Sequence, residues 1–262
     1  SQSGETADSL KALSFAKEKK AKTLLITNTL ASSMDREADK SIYCYAGPEI
    51  AVASTKAYTS QVLNLYFLAL DFARKLSRID DCYCREILES LKEIPGKIRE
   101  ILEDDKIIKD FAEEIKDQKS LFYIARGLDY QTTIEAALKL KEVSYIHTEA
   151  FAAGELKHGT ISLIEDKTPV IAIMSQANLL EKTLSNVEEV VARGANVFII
   201  TSHKDSRMSK ITDKILIIPE TLDILYPLLT AIPAQLMAYY TSIAKGIDVD
   251  KPRNLAKSVT VE

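Results

Sequence analysis

The sequence predicts an α/β fold made of two similar doubly wound parallel-sheet subdomains, the first of them truncated at its N-terminus. An internal repeat is the first reason. Sliding the chain past itself by 174 positions sets Ser1 on Ser175, Gln2 on Gln176, Thr27 on Thr201, Ser32 on Ser206, Met34 on Met208, Asp39 on Asp213 and Lys40 on Lys214, without a gap over forty residues. The second reason is the form of the apolar runs. TLLIT at 23–27 and VFIIT at 197–201 are uninterrupted, as are SIYCY and ILIIP after the Asp-Lys turns. Strands covered by helices on both faces read this way, whereas half-exposed strands alternate. Third, each copy runs from a Ser-Gln turn through a helical segment to a short apolar strand, the alternation expected of doubly wound sheets.

The elements follow in order. Ser1 to Thr6 is a strand-to-helix turn crowded with hydroxyls, with Gly4 among them. Short polar side chains at a helix N-terminus suit a bound phosphate through aligned dipoles and exposed N–H groups, and they also suit a plain N-cap. Ala46 to Thr59 leads from a strand into a helix opening at Ser54 or Thr55. The residues that follow, Val62 to Leu70, are apolar nearly all round, which predicts a helix buried on several sides. Residues 77–119 change character: 22 of these 43 positions are charged. Ile87, Leu91, Ile94, Ile98 and Ile101 repeat at spacings of 4, 3, 4 and 3, so the segment reads as an amphipathic helical connector, broken or re-aimed at Pro95-Gly96. These features divide the chain into a first subdomain at 1–76, the connector at 77–119, a second subdomain at 120–245 and a tail at 246–262.

The second copy also has a strand at LFYIARG from Leu121 and another at PVIAIM from Pro169, for which the first copy shows no counterpart after Ser1. Its equivalents, roughly 55 residues, are expected upstream of Ser1, and a chain opening inside a motif without Met reads as a fragment. Between those strands, Ile134 to Ile146 has helical periodicity with Ala136, Leu140 and Val143 on one face. Glu142, four residues after Leu138 and three before Tyr145, is drawn towards a partly apolar surface that favours a general base, with Lys139 one turn earlier to hold it. Alternating Lys and Glu on a helix also describes a solvated face. His158 ends AFAAGELKHGT, where Gly154 and Gly159 free the backbone to bring an imidazole near a ligand. His203 reads as a loop residue. Tyr226 to Tyr240 is an apolar helix with Pro227 near its start and Pro233 inside it, and the residues after Pro252 are polar enough to read as a frayed tail.

Composition narrows the function classes. A net charge of -4, with 46% hydrophobic and 27% charged residues, is ordinary for a soluble globular protein and gives no reason to expect nucleic acid or an anionic membrane as partner. With no signal-peptide pattern at the N-terminus, a cytoplasmic location is expected. Cys44, Cys82 and Cys84 make neither a disulfide framework nor a zinc site, so reduced thiols and no metal are expected.

The segment LKLKEVSYIHTEAFAAGELKHG, together with SQSGETAD at 1–8, AGPEIAVASTKAYT at 46–59 and PRNLAKSVTVE at 252–262, resembles the isomerase domain of the glutamine:fructose-6-phosphate aminotransferase family within the sugar isomerase (SIS) superfamily. The resemblance implies two SIS-type subdomains acting on fructose 6-phosphate or glucosamine 6-phosphate without a cofactor. It implies that Ser1, Gln2, Ser3 and Thr6 hold the sugar phosphate, that Val52, Ser54 and Ala256 line the sugar, and that the tail folds over it. It further implies that His158 assists ring opening, Glu142 shuttles a proton, Lys257 forms an imine at C2 and Lys139 balances charge. Ala51 stands where the family pattern usually has glycine. A homodimer is implied, since in the family the histidine comes from the neighbouring subunit, and a glutaminase domain is implied in the full-length protein. A non-catalytic sugar-phosphate-binding module and a fructosamine-phosphate deglycase are the alternatives.

Overall fold

The computed structural model describes residues 1–260 and divides the chain into two compact units, Ser1–Cys84 with the chain from Asp250 onward, and Arg85–Val249. In the first unit, helix α1 (Ala7–Glu18) precedes strand β1 (Leu24–Thr27), a short helix α2 (Ser33–Glu37), strand β2 (Lys40–Tyr43) and helix α3 (Lys56–Lys75). β1 and β2 pair in parallel, Leu25 against Ser41 and Thr27 against Tyr43. Leu25 and Thr27 point into the unit and are buried. Although its sequence predicts burial on several sides, α3 buries only Ala57 and Leu70, and Leu65, Phe67 and Phe72 are about half exposed. A two-stranded sheet offers one narrow apolar face, which accepts one stripe of a helix that is apolar all round.

Helix α4 (Asp81–Glu103) begins four residues before the boundary between the units and runs as one helix through Pro95 and Gly96, which corrects the expected break. Pro95 removes one hydrogen bond and crowds the preceding turn, at about 3 kcal/mol. Ile87, Leu91, Ile94 and Ile101 lie on both sides of it in one buried stripe. Each such burial contributes about 1.5–3 kcal/mol, so the stripe outweighs the proline. The exposed proline ring stays on the outer face.

Helix α5 (Lys106–Ile115) leads into strand β3 (Ser120–Ala125), helix α6 (Gly127–Ser144), strand β4 (His147–Ala152), two 3-10 turns (Ala153–His158 and Thr160–Leu163) and strand β5 (Pro169–Met174). Helix α7 (Leu180–Val191), strand β6 (Asn196–Thr201), a short helix α8 (Met208–Ile211), strand β7 (Ile215–Ile217) and helix α9 (Tyr226–Ala244) complete the unit. The strands form one parallel sheet ordered β4-β3-β5-β6-β7. On one face Phe122, Ile124, Val170, Ala172, Val197 and Ile199 pack with Leu184, Val187 and Val190 of α7. The alternate residues face the other way, where Phe198 of β6 meets Phe111 of α5 with ring centroids 4.9 Å apart. Small buried residues, Ala136 and Ala137 of α6 and Ala231, Ala234 and Ala238 of α9, let these two helices approach closely. Tyr145 ends α6 in the left-handed region at φ 61°, one residue before the predicted end, and β4 follows directly.

The repeat is visible as strand register. Leu25 pairs with Ser41 as Ile199 pairs with Ile215, 174 positions on, and Thr27 pairs with Tyr43 as Thr201 does with Ile217. The strand ends repeat as well: the Cys44 amide donates to the Thr27 carbonyl at 2.8 Å, and the Ile218 amide to that of Thr201 at 2.8 Å. Among the described residues no helix is long and apolar enough to cross a membrane.

The Phe111–Phe198 contact makes α5 part of the core of the second unit. Replacing Phe111 with Ala is therefore expected to destabilise that unit by about 3–5 kcal/mol, read as a fall in the urea midpoint at unchanged slope. A loss below about 1 kcal/mol would place α5 outside the cooperative core.

Candidate active site

In the first unit, the Ser1–Thr6 turn is shaped by its own hydroxyls. Ser1 Oγ accepts from the Gly4 amide at 3.1 Å and lies 3.0 Å from Thr6 Oγ1, while Ser3 Oγ accepts from the Glu5 amide at 3.2 Å. Gly4 has φ +68°, and a Cβ there would lie 2.0 Å from Ser32 Oγ, so only glycine lets the turn rest on the start of α2. The turn is tied to the sheet through Gln2, whose carbonyl accepts from the Asn28 amide at 3.0 Å and from Thr27 Oγ1 at 3.2 Å. Thr6 is the N-cap residue of α1, yet its hydroxyl makes no capping bond. Positive helix dipole and hydroxyls thus meet at one short turn, a setting suited to an oxyanion.

The C-terminal tail is fastened to this turn. Ser258 Oγ lies 3.1 Å from Ser3 Oγ, and the Val259 carbonyl accepts from the Ala7 amide, the first of α1, at 3.0 Å. Composition alone reads this segment as frayed; the hydrogen bonds hold it. Val261 and Glu262, the end of the tail motif, lie outside the described residues. Lys257 Nζ is 2.7 Å from Glu49 Oε2 and 3.4 Å from Ser54 Oγ. Glu49 has a side chain only 4% exposed and accepts from the amides of Thr55 and Ala57 as well as from Ser54 Oγ. It is therefore the cap of α3, in the place that hydroxyl residues at 54 and 55 would fill. Burial pushes its carboxyl up, but the bonds from Lys257, the two amides and Ser54 together outweigh this and hold it below its ordinary value of 4.5. Val52 lies on the same loop, its amide donating to the Asp250 carbonyl at 3.0 Å, and Ala256 is exposed beside Lys257.

In the second unit, α6 carries a row of three charges on one face. Lys139 is 6% exposed, with Nζ 2.6 Å from Glu142 Oε2 and 3.6 Å from Glu135 Oε1. Spacings of i, i+4 and i+7 stack the three groups, so a buried ammonium sits between two carboxylates. Burial pushes the Glu135 carboxyl up; the Lys139 charge works against this and the Glu142 charge adds to it. His158 is exposed at the end of the first 3-10 turn, which buried Leu156 anchors. Gly159 behind it has φ +153° and open space around the Cβ position, as the expectation of a free backbone requires. Gly154 serves another purpose, since a Cβ there would lie 2.7 Å from Arg126 Nη2.

The structure thus brings Ser1, Ser3 and Thr6 together with the tail, Ser54 together with Lys257, and Lys139 together with Glu142. His158 stands on a different element from Glu142. Sequence reasoning missed Glu135 and Glu49. The first had a readable signal in its spacing from Lys139 and Glu142. The second was a lone acid six positions before the helix cap, and its partner Lys257 lies 208 positions away. Burial pushes the Cys44 thiol up, away from nucleophilic use. Among the described residues no cluster of His, Cys, Asp or Glu is arranged to hold a metal ion. A cavity of about 670 Å³ lies beside Ser120, His147 and Pro169 at the amino ends of three strands, the end of a parallel sheet that seldom carries chemistry.

The profile of the SIS domain matches residues 1–71 and 114–245. Glutamine-fructose-6-phosphate aminotransferase (isomerizing) of Caldanaerobacter subterraneus is 52% identical over 262 residues, covering 100% of this chain and 43% of that protein. Its counterpart in Clostridium tetani is 51% identical over the same span. The chain spans less than half the length of these curated relatives. Among solved structures, the C-terminal domain of glucosamine-fructose-6-phosphate aminotransferase from Francisella tularensis superposes with a TM-score of 0.90 at 38% identity, covering 96% of this chain and 72% of that one. The parallel sheets, the repeat and a match across most of the residues agree, and the chain belongs to the SIS domain family.

Proposed function

We propose that this chain performs the isomerase half of a glutamine:fructose-6-phosphate aminotransferase reaction, turning fructose 6-phosphate and ammonia into glucosamine 6-phosphate. The ammonia would come from a glutaminase domain elsewhere in the full-length protein. The observation that carries the reading is the seat of the tail, which holds Lys257 at Ser54 and Glu49 and lays Ser258 on Ser3. A sensing module needs a phosphate turn; it has no need of a half-buried amine fastened next to it.

In this reading Ser1, Gln2, Ser3 and Thr6 hold the phosphate, and Val52, Ser54 and Ala256 lie along the sugar. His158 assists opening of the ring, which frees the C2 carbonyl. Lys257 gives a proton to the Glu49 carboxylate it contacts and attacks C2, expelling water to form an imine that ammonia then displaces, releasing the lysine amine. Glu142 removes a proton from C1 and returns it to C2, converting the ketose imine into the amino aldose. Lys139 balances the charge, and Glu135 on the far side of Lys139 steadies the ammonium. Residues 246–262 act as the closing tail. A cytoplasmic homodimer, in which each subunit lends His158 to its neighbour, completes the proposal; neither metal nor organic cofactor enters these steps.

Replacing Glu142 with Gln removes the proton carrier and keeps the shape. Glucosamine 6-phosphate formation from added ammonia is expected to fall by about 10²–10⁴-fold while the Kd for sugar phosphate, measured by calorimetry, stays within about twofold of wild type. Undiminished turnover would remove Glu142 from the mechanism.

The tail anchor has its own pH signature. The Glu49 carboxyl is held below 4.5 in the folded chain, so its contribution is complete above the unfolded value and disappears as pH falls through the folded one. The stability difference between wild type and Glu49→Gln should therefore be constant near neutrality and close below pH 4.5. A difference that grew on acidification would contradict the assignment.

A further inference from the structure

The 174-residue offset sets Ser175 and Gln176 where the first unit has Ser1 and Gln2. In the second unit this turn follows β5 at the carboxyl end of the sheet. There the strand order reverses between β3 and β5, the crevice in which open α/β sheets take their ligands. The chain itself fills the crevice. Asp129, in the first turn of α6, is 2% exposed. Its Oδ2 accepts from the Ser175 amide at 2.7 Å and its Oδ1 from Ser175 Oγ at 2.5 Å, and the Gln176 amide donates to the same carboxyl. Gln176 turns its own side chain back, with Oε1 accepting from the Leu128 amide at 2.8 Å. Two main-chain N–H groups and a hydroxyl converging on one buried carboxyl are the donor set that a phosphate would ask of this turn.

We propose that Asp129 is a built-in occupant of the second repeat's anion turn, so that the chain takes one phosphorylated ligand, through its first repeat, and not two. The count of one rests on the assignment of Ser1 to Thr6 as the phosphate turn; the filling of the second turn does not. Removing the carboxylate should vacate a turn whose three donors then call for an external oxyanion, inorganic phosphate or the phosphate of a sugar.

Three variants of the purified protein test this. Asp129→Ala opens the turn. Asp129→Leu fills the same volume without an acceptor, and Asp129→Ser replaces the first should it not fold. In phosphate-free buffer Asp129→Ala is expected to melt about 4–8 °C lower than wild type, and inorganic phosphate should recover most of that loss, whereas Asp129→Leu should show no recovery. Calorimetric titration with inorganic phosphate should count one site in wild type and two in Asp129→Ala. Adding Ser3→Ala and Thr6→Val should leave none and one, respectively. Equal phosphate responses in wild type and Asp129→Ala, or equal recovery in Asp129→Leu, would overturn the proposal. No site in wild type but one in Asp129→Ala would uphold it and overturn only the reading of Ser1 to Thr6.

Discussion

A parallel sheet buried on both faces leaves only its strand ends for polar chemistry, and this constraint organises the second unit. Along β3, β5 and β6 the residues point into one apolar layer or the other. An unpaired polar group there is costly. Where each strand stops, the polar residues begin at once: Arg126 after β3, Ser175 and Gln176 after β5, Thr201, Ser202 and His203 at the end of β6. These groups satisfy one another across the ends. Thr201 Oγ1 donates to the Met174 carbonyl at 2.7 Å, and His203 Nε2 lies 2.9 Å from the Ser175 carbonyl. Arg126 reaches Asn186 Oδ1 on α7 at 2.9 Å and lies against Gly154, which seats the turn leading to His158. The loop bearing the imidazole is thus positioned by a guanidinium at a strand end.

The first unit answers a different demand with the same elements. Its hydroxyl turn would hold a doubly charged group in a chain of net charge -4, with no cationic side chain in the turn itself. Aligned amides and hydroxyls suffice when they are preorganised, because the cost of orienting them is met during folding. Gly4 supplies the backbone shape and Ser32 the floor beneath it. Lys257, a cation that the tail brings into this unit, is held by Glu49 at 2.7 Å.

How much of this was legible in the sequence follows from the range of each interaction. Strands and repeat were legible because apolar runs and a constant offset are local or periodic signals, and the offset reappears as identical register in two sheets. β4 was not, since Tyr145 turns the chain with an αL residue other than glycine or asparagine and the strand follows within two positions. Pro95 misled because the burial of the apolar stripe on both sides of it outweighs the one hydrogen bond it removes. Glu49 and Lys257 were hidden by separation in sequence, Asp129 and Ser175 by the same cause over 46 positions. The charged row on α6 was half seen: local spacing gave Lys139 and Glu142, and burial singled out Glu135.

Two acids on α6, one buried and one partly exposed, show how helix position sets a carboxylate's surroundings. Asp129 sits in the first turn, where the dipole and the neighbouring amides favour an acceptor that stays in place. Its carboxyl accepts from the Ser175 amide and hydroxyl, which fix its position, while burial pushes its pKa up against those bonds. Glu142 lies thirteen residues further on, away from that dipole, with a side chain 23% exposed and Lys139 as its ion-pair partner. A proton carrier must reach its substrate and change charge during each cycle, and an ammonium alongside can absorb that change. The same helix can therefore hold one carboxylate as a fixed part of the scaffold and leave another within reach of solvent, the difference arising from the donors at its amino end.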